Sequence, residues 1–226
     1  MSSPSYSFVI PVLNEARGLR ALLPRLRAQF PAAELLLVDG GSDDGSVAVA
    51  MPRCDRLLLS PPGRAKQMNL GARAARGDYL LFLHADTVPL FDEALLATWL
   101  AARPQWGFCR VRLSGRAPAL RLIEGAMNLR SRLTRVATGD QLLMVRRDAF
   151  LARGAFAEIP LMEDVEVCKR LRVDSAPRPF AGTVLTSSRR WEEGGVVSTV
   201  LRMWGLRLAY VCGVSPQRLW RYYYGG

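Results

Sequence analysis

Residues 79–87, Tyr79-Leu80-Leu81-Phe82-Leu83-His84-Ala85-Asp86-Thr87, hold five consecutive apolar residues, then a histidine and a carboxylate two positions apart. An unbroken apolar run of this length is the pattern of a strand buried on both faces, as in a parallel sheet. Side chains two apart on a strand share a face, so the run is expected to deliver His84 and Asp86 together to a sheet edge. His84 is the only histidine of the chain. An imidazole and a carboxylate converging there suit a divalent ion, Mn²⁺ or Mg²⁺, of the kind that holds a diphosphate. The alternative is that His84 bonds a loop and Asp86 caps the next helix.

On the N-terminal side of this run the chain alternates strand and helix. Residues 8–12 read as a first strand. Asn14 is then placed to cap a helix whose apolar face is Leu19, Leu22, Leu23, Leu26 and Phe30. Residues 35–38 form a second unbroken apolar run, ending in Asp39-Gly40-Gly41-Ser42. A short helix at 46–51, a short strand at 56–59 and the turn Pro61-Pro62-Gly63 follow. The next helix aligns Ala65, Met68, Ala72 and Ala75 and stops at Gly77. This alternation predicts an α/β fold with a mostly parallel central sheet flanked by helices, whose ligands bind at the carboxyl ends of the strands. Asn14, Asp39, Arg64 and Asp86 all fall at or just after such ends.

The second half is less regular. Residues 108–113 alternate and read as one half-exposed strand. Residues 119–136 read as a helix with Leu122, Ala126, Leu129 and Leu133 on one side and arginines on the remainder. A strand is expected at 141–145, helices from Asp148 and over 161–172, and a mostly apolar stretch at 196–212 interrupted by Arg202 and Arg207. No repeat, linker or domain boundary is visible, so residues 1–226 read as a single domain, with a regular half over about 7–115 and a less regular half over about 116–226.

The chain has 226 residues, half of them hydrophobic, which is enough for one domain with a substantial core. Its net charge is +11, carried almost wholly by arginine, since Lys66 and Lys169 are the only lysines. Arginine grips phosphate through a planar fork of donors, so nucleotides, anionic membranes and lipid phosphates come into question. Cys54, Cys109, Cys168 and Cys212 are widely spaced and form no CxxC pair, which argues against a zinc site or a disulfide framework. No signal peptide or transmembrane-length apolar run is present, and a cytoplasmic location is expected, with peripheral contact at the membrane inner face.

Five segments now form an ordered series: Pro11-Val12-Leu13-Asn14-Glu15, Asp39-Gly40-Gly41-Ser42-Asp43-Asp44, Gly63-Arg64-Ala65-Lys66-Gln67-Met68-Asn69, His84-Ala85-Asp86 and Glu163-Asp164. In this order and spacing the chain resembles a family 2 glycosyltransferase of the GT-A fold over roughly residues 7 to 190. It looks most like a small bacterial branch with a His-x-Asp in place of the usual Asp-x-Asp. The resemblance implies an inverting sugar transfer from a nucleotide-diphosphate donor to a hydroxyl acceptor, assisted by a divalent metal. It carries Asp164 over as the catalytic base. Pro11, Asn14, Glu15 and Asp39 become base or ribose contacts. Asp86 becomes the main metal ligand, while His84, where the family has a carboxylate, either ligates the metal or contacts the donor.

Arg64 and Lys66 open a helix, a position that favours phosphate, and Arg190 falls in the Ser188-Arg189-Arg190-Trp191 segment expected to close over the diphosphate. Asp140, Gln141 and Glu163 are expected on the acceptor side. A UDP-sugar is the favoured donor. Two other classes are compatible with parts of the pattern: a sugar nucleotidyltransferase, which normally carries a Gly-rich basic loop after the first strand, and a non-enzymatic binder of polyanions or anionic membranes. Nucleic acid is not an expected partner, since the ordered acidic motifs have no role in such binding. The apolar C-terminal stretch is open to three readings: core, homodimer contact or membrane-facing surface.

Overall fold

The computed structural model describes residues 4–189, 192 and 194–225. Arg190, expected near the diphosphate, lies outside them. Four strands run parallel: β1 (Tyr6–Val12), β2 (Glu34–Asp39), β3 (Arg56–Leu59) and β4 (Tyr79–Phe82). The sheet order is β3-β2-β1-β4-β8-β6, with β6 (Trp106–Phe108) and β8 (Leu143–Arg146) added antiparallel. Val12 pairs with Asp39 and Asp39 with Leu59, so three neighbouring strands end level. A second sheet joins β5 (Thr87–Pro89), β9 (Thr183–Thr186) and β7 (Arg110–Leu113) in the order β5-β9-β7.

The unbroken apolar runs are explained by burial on both faces. Phe8, Ile10, Leu35, Leu37 and Leu81 point into one core, against Leu19, Leu22, Leu23, Leu26 and Phe30 of helix α1 (Ala16–Gln29) and its end. Val9, Leu36, Val38, Leu80 and Phe82 point into the other. There they meet α3 (Arg64–Ala74), α6 (Arg147–Ala152) and α7 (Glu163–Asp174) through Ala65, Met68, Ala72, Phe150, Val167 and Leu171. The period-two alternation of each strand thus feeds two helix layers. The remaining helices are α2 (Ser46–Ala50), α4 (Glu93–Ala101), α5 (Pro118–Thr134), α8 (Val196–Val211) and α9 (Pro216–Tyr224).

Small residues let α3 lie close on the sheet. A side chain at Gly71 would run into Val9 and come within 3.0 Å of Leu36 and 3.1 Å of Val38. From this seat Gln67 sends its Nε2 to the carbonyls of Val12 and Val38, both at 2.8 Å, and ties the ends of β1 and β2 together. Asn69 locks onto the backbone of Phe156 in both directions at 2.9 Å.

Several expectations need correction. Asn14 does not cap α1: it adopts a left-handed φ of 55°, Glu15 holds the cap position, and the caps come from another segment. Asp44 Oδ2 accepts from Ala16 N at 2.9 Å and Ser46 Oγ from Glu15 N at 2.8 Å. The strand expected at 108–113 is two strands in different sheets, because Cys109 N breaks away to the Gln141 carbonyl at 2.8 Å. The strand expected from Gln141 begins at Leu143, since residues 139–141 form a 3-10 turn and Leu142 is left-handed. Strand β4 ends at Phe82, so His84 and Asp86 sit on the following turn, closed by Thr87 N to the His84 carbonyl at 3.1 Å. Strand alternation therefore does not align their side chains. On α5, Leu122, Leu129 and Leu133 are exposed, while Leu120 and Ile123 are buried.

Substituting Gly71→Val tests the seating of α3. Valine and glycine are close in helix propensity, so the steric term stands alone. The expected loss is about 1–3 kcal/mol, read from the urea midpoint.

Candidate active site

A cavity opens at the carboxyl edge of the main sheet. Arg64 from the start of α3 lines it, together with His84 and Asp86 from the β4 turn, Gly139 and Asp140 from the 3-10 turn, and Glu163 and Asp164 from α7. Arg189, Arg207 of α8, and Tyr223 and Tyr224 of α9 complete the wall.

The core of the site is a junction around Gly139. Gly139 N donates to Asp164 Oδ2 at 3.1 Å, and Val165 N donates to Asp164 Oδ1 at 2.7 Å. A Cβ on Gly139 would lie 2.6 Å from His84 Nε2 and 3.4 Å from Arg64 Nη1, so only glycine admits this packing. The other ring nitrogen, His84 Nδ1, stands 3.8 Å from Asp140 Oδ1. Both nitrogens of His84 thus face the 139–140 turn. Arg64 Nη1 lies 3.6 Å from Glu163 Oε1, with the arginine half exposed and the glutamate buried. Burial and the neighbouring Asp164 push the Glu163 carboxyl up to about 7, against the pull of Arg64. Burial opposes the charge of Arg64, but Glu163, Asp140, Tyr224 and Asp164 outweigh it and hold the guanidinium more firmly charged than usual.

The nucleotide-side residues sit at the ends of β1 and β2 and on the loop that follows β1. Asp39 is buried; its Oδ2 accepts from Gly41 N at 2.9 Å and Ser42 N at 3.0 Å, while its buried Oδ1 has no hydrogen-bond partner. A buried acceptor left unpaired costs about 1–3 kcal/mol, and a ligand N–H or O–H would satisfy it. Asn14 Oδ1 accepts from Asp43 N at 3.0 Å and its own N–H donates to Ser42 Oγ at 2.9 Å, so it fastens the two loops together. Burial, then the charge of Asp86, raises the Glu15 carboxyl, with Arg189 opposing. Glu15, Asp86 and Arg189 therefore share one region of the edge. Pro11 is half-buried in β1, opposite Val38.

Pro11, Asn14, Glu15 and Asp39 lie outside the cavity lining, and so do Lys66 and Gln141. Lys66 is exposed, and a Cβ added at Gly63 would lie 3.5 Å from its stem. Gln141 is fully buried: Ser131 Oγ at 2.7 Å and Thr138 N at 3.1 Å both donate to its Oε1. That side chain forms the capping box of the 3-10 turn and holds Asp140 in place, leaving nothing for an acceptor. Conversely, Arg207, Tyr223 and Tyr224, which lie outside the ordered motifs, line the cavity, as does Arg189 from the segment expected to close over the diphosphate. Arg207 had a signal, as a charge interrupting an apolar helix.

Among the described residues no group of three or more His, Cys, Asp or Glu side chains could cage a metal ion. Asp86, exposed on its turn and close enough to Glu15 to raise it, fits the alternative. A hard cation commonly takes one or two carboxylates and completes its shell with phosphate oxygens and water.

A family model, Glycosyl transferase family 2, matches residues 7–114. A PGL/p-HBAD biosynthesis glycosyltransferase of Mycobacterium bovis (strain BCG / Pasteur 1173P2) is 39% identical over 105 residues, covering 43% of this chain and 41% of that protein. A polyprenol monophosphomannose synthase of Mycolicibacterium smegmatis is 35% identical over 69 residues, covering 30% of this chain and 24% of that protein. The chain thus spans about two fifths or less of these curated relatives. Among solved structures, the mannosyltransferase PcManGT from Pyrobaculum calidifontis, in complex with GDP-Man and Mn²⁺, superposes with a TM-score of 0.61 at 20% identity, covering 82% of this chain and 57% of that one. TarS of S. aureus in complex with UDP-GlcNAc gives 0.58 at 15%, covering 81% and 58%. At these identities the likeness is one of fold. Residues 7–114 are thus similar to Glycosyl transferase family 2, and the chain shares the fold of these solved glycosyltransferases.

Proposed function

We propose that this chain transfers a sugar, with inversion, from a nucleoside-diphosphate sugar to a hydroxyl acceptor. The observation that carries the reading is the convergence of Asp86 from the β4 turn and Asp164 from α7 on one cavity that also holds Arg64 and Arg189. The solved neighbours hold GDP-Man and UDP-GlcNAc, which supports a nucleoside-diphosphate sugar as the donor class. A UDP-sugar is the first donor to test.

The roles follow from the chemistry of the groups. Asp39, with an unpaired Oδ1 at the end of β2, receives a ribose hydroxyl or a base N–H. Asp86 is the residue to hold a divalent cation together with diphosphate oxygens; such an ion, when bound, neutralises the leaving group. Arg64 and Arg189 supply fixed positive charge to the same oxygens, where charge grows in the transition state. Asp164 takes the proton of the acceptor hydroxyl as that oxygen attacks the anomeric carbon. The bonds from Gly139 N and Val165 N keep its carboxylate oriented for that task. His84 and Asp140 brace the turn that carries Gly139. A nucleotidyltransferase would release pyrophosphate in place of a nucleoside diphosphate, so the released product discriminates the two reactions.

Calorimetry with UDP, GDP, dTDP and their sugars, with and without Mn²⁺, should show a selective response strengthened by the ion. Asp86→Ala should lose that strengthening, at least about tenfold in affinity. Asp164→Asn should bind donor as wild type while transfer falls by about 10²–10⁴. Wild-type turnover in Asp164→Asn would remove it as the base. Glu163 gives a pH test. Below its value of about 7 the carboxyl is neutral and leaves Arg64 to the diphosphate; above it the anion competes for that guanidinium. Donor affinity should weaken as pH rises through about 7 in the wild type, and Glu163→Gln should flatten that dependence.

A further inference from the structure

Helix α8 has two different faces. Thr199, Met203, Leu206 and Arg207 line the cavity, and Leu206 packs with Met162 and Leu219. On the opposite side Leu201, Trp204, Leu208 and Val211 are 67%, 69%, 66% and 74% exposed. Their spacing puts them on one stripe about 15 Å long. Helix α9 lies beside it, with Tyr222 73% exposed. A groove between the two helices is walled by Leu201, Gly205 and Tyr222, and by Arg202 and Arg218. Residues 196–225 contain four arginines and no aspartate or glutamate. A soluble surface rarely leaves this much contiguous apolar area uncovered.

We propose that the outer face of α8, with α9 beside it, docks on an anionic lipid surface. Apolar side chains, a tryptophan and a tyrosine flanked by arginines, without a compensating carboxylate, match the interface between acyl chains and anionic headgroups. A second copy of this chain fits worse. An isologous contact would gather Arg202, Arg218 and Arg221 of both copies into one interface with no acidic partner in the segment. Nucleic acid would use the arginines and leave the leucine and tryptophan stripe in water. Because the inner face of α8 walls the cavity, docking of the outer face holds the cavity about one helix diameter from the membrane surface. No helix among the described residues is long and apolar enough to cross a membrane, so the contact is one of surface.

The proposal is independent of sugar transfer and is tested without donor. The full chain is floated with phosphatidylglycerol vesicles and, separately, with phosphatidylcholine vesicles. It should float with the first, bind the second at least about tenfold more weakly, and be released as salt rises to about 0.5 M. Trp204→Glu with Leu208→Glu should reduce phosphatidylglycerol binding at least about tenfold. Both positions are exposed, so circular dichroism and the melting temperature should match the wild type. Arg202→Glu with Arg218→Glu should abolish the preference for phosphatidylglycerol. No flotation with phosphatidylglycerol, or undiminished flotation of the Trp204/Leu208 variant, overturns the proposal. So does a dimer in sedimentation that this variant dissolves, which would assign the face to a second copy.

Discussion

The parallel strands β1, β2 and β4 are buried on both faces, and the site depends on this. A strand covered by helices on both sides offers no exposed side chain along its length. Polar chemistry can emerge only where the strands stop. The level ends at Val12, Asp39 and Leu59 therefore create an edge; Asp39 stands on it, and the segments after β1, β3 and β4 carry Glu15, Arg64 and Asp86. The clamp from Gln67 to the carbonyls of Val12 and Val38 keeps two of those ends together. Without the close seat of Gly71 on Val9, Leu36 and Val38, neither Gln67 nor Arg64 would reach its place.

The second half of the chain closes the edge into a cavity and sets its electrostatics. The turn 139–141 is pinned by Gln141 from within and presents Gly139 N to Asp164. That contact joins the main sheet, through His84 and Arg64 packed on Gly139, to α7. Three carboxylates, Asp140, Glu163 and Asp164, crowd Arg64. One of them, buried Glu163, answers the crowding by holding its proton toward neutrality. The arrangement keeps arginine charge at the cavity while limiting the anionic charge beside it.

The helices α8 and α9 contribute to this cavity from one side only. Their inner residues extend the wall with Arg207 and the two tyrosines, while Leu201, Trp204, Leu208, Val211 and Tyr222 stay exposed. The exposed leucines of α5 add to the apolar surface of this half of the chain. The N-terminal half leaves fewer large apolar residues exposed, among them Leu13, Met51 and Leu59.

Strands at 8–12, 35–38, 56–59 and within 79–83, and the faces of α1 and α3, were legible in the sequence, within a residue or two of the observed bounds, because buried strands demand apolar runs and one helix face demands a 3.6-residue period. The positions of Asp39, Arg64 and Asp86 at strand or helix ends were legible for the same reason. Other features depended on contacts between distant segments, which leave no local signature. The capping of α1 by Asp44 and Ser46, the division of residues 106–113 between two sheets, and the consumption of Gln141 inside its own turn are of this kind. The short strands β5 and β9 are stabilised by pairing with each other and with β7, and carry little periodicity of their own. The sequence by itself determined the sheet, its helix layers and the edge where polar residues gather, since these follow from local hydrophobic period. Only the tertiary structure decided that His84 faces Gly139 and Asp140, that Lys66 stays in water, and that α8 turns its leucines and Trp204 outward, since these follow from which surfaces meet.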